Sequence, residues 1–243
     1  MNDIDLKDFY IDKITSNGEI IIETDNYLTI QQVCSENLSL KNMSIIIGEP
    51  GFGKTISLTK FKNQNKNVFY ITVKKSMTPK IFYSKILEII GFKNYFKQDN
   101  IYHIIESISY YLNENHNNNL LIIDEAGKLS HSSILYLHDL RDNCKNSTGI
   151  VLAGPKYFEN NIRSMLNKNI EGIPEFFRRV NNWIELDKPS IHEKMALCIH
   201  RGIKNDLLIK EIATNDNYKT LSDVDNVLNN IGLIVKRKLN NQI

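Results

Sequence analysis

Gly48, Gly51 and Gly53 lead into Lys54 and Thr55 in the octet GEPGFGKT, residues 48–55. The spacing G-x-x-x-x-G-K-[ST] lets a glycine-rich turn aim successive backbone N–H groups at phosphate oxygens, with the N-terminus of a following helix behind them. Lysine at this place reaches the β and γ phosphates, and the adjoining hydroxyl reaches Mg²⁺. An apolar run, SIII, precedes the octet and helix-like sequence follows it. A nucleotide site is therefore expected, for ATP with GTP as the alternative, lined by Gly48, Glu49, Pro50, Gly51, Phe52, Gly53, Lys54, Thr55 and Ile56.

A second cluster lies in LLIIDEA, residues 120–126, an apolar run that ends in Asp124 and Glu125. Carboxylates at the C-terminal end of a buried parallel strand face the crevice in which ligands of such sheets bind. Asp124, with Thr55, is expected to hold Mg²⁺, and Glu125 to polarise an attacking water as a base.

Something must place these groups. Short β-branched runs, SIII (44–47), NVFYITV (67–73), LLIID (120–124), GIVLAG (149–154) and WIEL (183–186), alternate with segments whose apolar residues recur at i, i+3 or i+4. The helical segments are TISLTKFKNQ, TPKIFYSKILEIIG, NIYHIIESISYYLNE and SSILYLHDLRDNC. The pattern predicts an α/β fold, a five-stranded mostly parallel sheet flanked by helices. After Pro189 the strand signal stops and three helical stretches predict a small lid, with Ser190 (and Glu193) and Ser222 (with Asp223 and Asp225) as N-caps. The expected boundaries are an N-terminal extension at 1–28 with a hairpin in SNGEIIIE, the nucleotide-binding domain at 29–188, the lid at 189–235 and a basic tail at 236–243. The Asn-rich tract NENHNNN (113–119) reads as a solvated turn before a strand.

Bulk properties narrow the class. The 243 residues are 42% hydrophobic and 24% charged, enough for a buried core, and the net charge of +2 is too small to imply nucleic-acid binding by itself. Cys34, Cys144 and Cys198 lack C-x-x-C spacing, which argues against a zinc site or a disulfide framework and for buried thiols. His131 and His138 read as polar-face helix residues. No run approaches the ~20 apolar residues of a membrane span and the first residues do not pattern as a leader, so a cytoplasmic protein without a membrane partner is expected.

The order of phosphate loop, D-E strand, L-R-D helix, fourth strand ending in G-P and then FFRRV before the fifth strand resembles the AAA+ ATPases. Within that class it resembles transposition helper ATPases of the phage Mu B and TnsC type, together with the related AAA domains of ExeA-like proteins, over roughly residues 27–232. The resemblance implies ATP hydrolysis and a homo-oligomer, a ring or helical filament, in which Arg179 (or Arg178) of one subunit completes its neighbour's site. It also implies sequence-tolerant binding to duplex DNA and a transposase as partner, with Lys74, Lys75 and Lys80 after the second strand touching phosphates. The KRK run at 236–238 reads as a second phosphate contact, an interaction tail or a solvated terminus. Alternative readings are an accessory ATPase acting on protein partners, ExeA-like or helicase-loader-like, and an ATP switch with little turnover. The last follows from two departures: Pro155 stands where a polar sensor is expected, and Ser222 stands near the place of a sensor arginine. Arg141 is read as orienting the site or an interface, or as a plain surface residue.

Overall fold

The computed structural model describes residues 5–14, 21–92, 100–114 and 118–241. Along the chain run α1 (Ile11–Ile14), α2 (Asp25–Leu40), β1 (Met43–Ile47), α3 (Lys54–Gln64), β2 (Val68–Thr72), α4 (Pro79–Ile89), α5 (Ile101–Glu114) and β3 (Asn119–Asp124). Then follow α6 (His131–Cys144), β4 (Thr148–Gly154), α7 (Lys156–Asn167), α8 (Ile173–Arg179), β5 (Asn182–Glu185), α9 (Ile191–His200), α10 (Asp206–Thr214) and α11 (Leu221–Asn240). The chain divides into two compact units, residues 29–49 with 54–186, and residues 1–28 with 50–53 and 187–243.

The first unit holds the expected sheet. Its five strands are all parallel, in the order β2-β3-β4-β1-β5. Every residue of β1, β3 and β4 is buried, which is why these strands read as unbroken apolar runs and not as alternating ones. Ile45, Ile47, Leu121, Ile123, Ile150 and Leu152 join Phe82, Ile86, Ile104, Ile108, Leu137 and Phe176 from the helices in one core. Buried Ser44 donates to Asn37 Oδ1 (3.0 Å), whose own amide donates to the Val33 carbonyl (2.7 Å). Gly149 permits the approach, since a Cβ there would stand 2.0 Å from the Asn37 carbonyl oxygen.

The Asn-rich tract departs from its expected solvated character at its end, and residues 115–117 lie outside the described ones. Asn119 is buried at the start of β3, where its amide donates to the Leu112 carbonyl (2.9 Å) and so closes the C-terminal turn of α5. Cys34, Cys144 and Cys198 are all buried, and burial pushes their thiols up to about 12, 11 and 11.

In the helical unit, α9 begins with the expected capping box between Ser190 and Glu193. The cap of α11 is Thr220, two residues before the expected Ser222, because Thr220 is extended and Asp223 closes the reciprocal pair of bonds three residues on. Phe9 and Ile14 share a core with Leu197, Cys198, Ile209, Val224, Leu228 and Ile231, and Phe9 bridges Ile203. The expected hairpin falls largely on residues 15–20, outside the described ones, and residues 21–24 form no strand. Lys236, Arg237 and Lys238 lie on α11, which continues to Asn240; cations in a last helical turn complement its macrodipole. No helix among the described residues is long and apolar enough to cross a membrane.

Candidate nucleotide site

β1 ends at Ile47 and α3 starts at Lys54, so residues 48–53 of the octet are the turn between a buried strand and a helix that Lys54 and Thr55 open. Gly51 (φ +87°) and Gly53 (φ +81°) take left-handed backbone that a side chain would disfavour. In the helical unit Gly51 also lies against the cap of α11, where a Cβ would stand 2.6 Å from Thr220 Oγ1 and 3.2 Å from Ser222 Cβ. No acidic residue occupies the first turn of α3, which leaves its positive end open to an anion.

Lys54 Nζ donates to the carbonyls of Gly48 (2.5 Å) and Glu49 (3.0 Å). Burial holds its ammonium below the usual lysine range, against the opposing pull of Asp124, Glu125 and Glu49. A half-buried cation bound only to neutral carbonyls is a group that phosphate oxygens would serve better.

Asp124, 1% exposed at the end of β3, accepts three hydrogen bonds and keeps acceptor capacity on Oδ1. Its Oδ2 receives the hydroxyls of Thr55 (2.7 Å) and Tyr70 (2.8 Å), and its Oδ1 receives the Glu125 N–H (2.8 Å). The hydroxyl of Thr55 beside the carboxylate of Asp124 forms a small hard-oxygen set of the kind Mg²⁺ takes while keeping most of its waters, so the residues fit that ion. Glu125 follows in left-handed backbone (φ +59°, ψ +34°), unusual for a residue with a side chain. Its carboxylate is 3.0 Å from Lys128 Nζ and 38% exposed.

The expected finger sits apart from this group. Arg179 closes α8 with Nε and Nη2 on the two oxygens of Asp142 of α6 (2.7 and 2.5 Å) and Nη1 on the Glu175 carbonyl (2.9 Å). The hydrogen-bonded pair lowers the Asp142 carboxyl and raises the Arg179 guanidinium. Arg178 is exposed. Arg141 Nη2 donates to the Lys41 carbonyl (2.6 Å), which ties α6 to the turn between α2 and β1. Pro155 caps α7 without a side-chain bond, and the next residue, Lys156, reaches Glu185 (2.8 Å) and Glu159 (3.0 Å). His131 Nε2 lies 3.3 Å from the Glu171 carbonyl and His138 Nδ1 3.2 Å from Asp139. Lys74, Lys75 and Lys80 are exposed, on a turn closed by a bond from the Met77 N–H to the Lys74 carbonyl and on the first turn of α4, which Thr78 caps.

Sequence reasoning did not find Tyr70. Its signal is positional: Thr72 registers with Asp124 in the β2–β3 ladder, and Tyr70, two residues back, shares that face. Only the strand pairing reveals this.

A parallel sheet with a glycine-rich loop after β1, Lys54 and Thr55 opening α3 and Asp124 closing β3 defines a P-loop fold of the AAA kind, which implies nucleotide binding. A family model described as AAA domain matches residues 37–162, more than half of the 243, and the chain belongs to that family. Solved structures repeat the fold at low identity. The ORC1 protein of Aeropyrum pernix in complex with DNA is 12% identical with a TM-score of 0.70, covering 97% of this chain and 66% of that one. The ORC2 protein of the same organism, in ADPNP–ADP complexes, is 14% identical with a TM-score of 0.61, covering 84% and 60%. A katanin structure concerned with self-assembly is 16% identical with a TM-score of 0.54, covering 92% and 72%. The chain thus spans less than two thirds of the two ORC proteins' length. No curated protein matches it in sequence.

Proposed function

We propose that the chain is an ATP-hydrolysing, DNA-binding AAA ATPase that assembles side by side on duplex DNA and activates a transposase there. The observation that carries the nucleotide part is the joining of Lys54, Thr55 and Asp124 through the 2.7 Å Thr55–Asp124 bond. Lys54 would neutralise phosphate charge, Thr55 and Asp124 would hold Mg²⁺, and Glu125 would take the proton of the attacking water. Bound Mg²⁺ supplies charge neutralisation at the phosphates.

The exposed Lys74, Lys75 and Lys80 support the DNA part, since point charges on a loop and a first helical turn can meet phosphates without reading bases. An ORC1 protein of the same fold was solved with DNA, and a katanin of that fold self-assembles. The transposase rests on the resemblance of the motif order to transposition helper ATPases. Titrating an arbitrary fluorescent duplex at several salt concentrations, with and without a slowly hydrolysed ATP analogue and Mg²⁺, tests this reading. Binding should require the nucleotide, and replacing the three lysines by alanine should flatten the log–log salt slope by about 2 to 3. Absence of binding at low salt would overturn the DNA role, and failure of the assembled protein to stimulate any transposase encoded beside it would overturn the transposition role.

Arg179 is proposed as the finger, with Arg178 as the alternative bearer. In the free chain Asp142 occupies the Nε–Nη2 edge of Arg179 and the Glu175 carbonyl takes Nη1, so assembly must exchange these partners for a neighbour's phosphate. Arg179→Ala should keep ATP binding and lower turnover by about a hundredfold or more. Full turnover in that variant, measured by phosphate release, would move the role to Arg178 or remove it.

A further inference from the structure

We propose that Tyr70 is a positioning residue for the metal-binding carboxylate of Asp124, setting the affinity of the site for Mg²⁺. The inference rests on the nucleotide and Mg²⁺ reading above. Asp124 Oδ2 takes two hydroxyl donors from different elements, Thr55 on α3 at 2.7 Å and Tyr70 on β2 at 2.8 Å. Thr55 belongs to the phosphate loop and is itself a proposed Mg²⁺ ligand. Tyr70 is not, and its hydroxyl donates to the carboxylate.

Register explains why tyrosine does this. Asp124 is level with Thr72 in the parallel ladder, and Tyr70 is level with Ile122. One strand repeat of about 7 Å therefore separates Tyr70 from Asp124's level. A phenol leaning along the strand spans it; a serine or threonine at position 70 would fall short. Thr72 Oγ1, level with the carboxylate, turns instead to donate to Tyr70 Oη at 3.3 Å. The phenol accepts from the hydroxyls of Thr72 and Thr59, which leaves its own proton for the carboxylate.

Bonds to both oxygens fix the plane of the carboxylate: Glu125 N–H on Oδ1, Thr55 and Tyr70 on Oδ2. Outer partners of this type orient metal ligands, and their loss typically weakens metal binding by about tenfold or more. Tyr70→Phe removes one oxygen and keeps the ring that packs beside β3, so the fold should persist.

The test is binding of a fluorescent ATP analogue across a Mg²⁺ titration, with an EDTA baseline, for wild type, Tyr70→Phe, Asp124→Asn and the double variant. In Tyr70→Phe the Mg²⁺ midpoint should rise about tenfold while affinity in EDTA stays unchanged. In the Asp124→Asn background the same substitution should add less than twofold. An unchanged midpoint, or an equal shift when Asp124 is already asparagine, would overturn the assignment while the nucleotide reading stands. If wild type bound no nucleotide with or without Mg²⁺, that reading would fail and take the role of Tyr70 with it.

Discussion

Lys54→Ala should weaken nucleotide binding by about a hundredfold. The ammonium now donates to the Gly48 and Glu49 carbonyls, and burial already holds it below the usual lysine range. Transfer of its bonds to phosphate oxygens would replace neutral acceptors by charged ones, which is worth about 3 kcal/mol for one or two charge-assisted bonds. That is on the order of a hundredfold in Kd. Thermal unfolding reads the same quantity: ATP at about 100 times the wild-type Kd should stabilise wild type by about 2.7 kcal/mol and Lys54→Ala by only about 0.4 kcal/mol. The substitution itself removes a half-buried charge whose partners are two carbonyls, so the apo variant should be no less stable than wild type by more than about 1 kcal/mol. Retained calorimetric binding within threefold of wild type would show that phosphate is held elsewhere.

Glu125→Gln separates binding from chemistry. Its expected turnover is lower by two orders of magnitude or more, the usual contribution of a placed general base, with ATP affinity held within about threefold. The variant should accumulate as ATP-bound assembly, visible by light scattering or imaging with duplex DNA. Glu125 is paired with Lys128 in the free chain, and the substitution also removes that pair. Lys128→Ala is the control: it frees the carboxylate without deleting it, and turnover should stay within a few-fold of wild type. If Glu125→Gln hydrolyses ATP at the wild-type rate, the base lies elsewhere and the left-handed backbone at residue 125 serves the turn alone.

The elements were legible where their signal was local. All five strands stand within a residue or two of the runs read for them, and for β1, β3 and β4 burial on both faces leaves a continuous apolar stretch. The phosphate loop was legible because its backbone needs specific residues at fixed offsets. Long-range facts were not. Strand order, the Tyr70–Asp124 bond and the Arg179–Asp142 fork join residues 37 to 54 apart or more, and no period or spacing marks them. The cap of α11 was misplaced for a local reason, since Thr220 and Ser222 are both good caps and only the reach of Asp223 back to Thr220 chooses between them. Asn119 looked like turn sequence because asparagine usually is; here its amide serves a helix end inside the core.

The place of β1 between β4 and β5 has a consequence for how the protein is made. Its partners are β4 and β5, with Met43 opposite Ile150 and Ser44 opposite Asn182, so more than a hundred residues must follow before the strand has a neighbour. Closing so long a loop is slow even when it is favourable. The octet is thus synthesised early and anchored late. A chain halted before β5 would carry every residue of GEPGFGKT and yet leave one edge of β1 unpaired. A nucleotide that binds the finished loop favours completion of the sheet by mass action, so ATP would act on this protein first as a folding ligand and only afterwards as fuel.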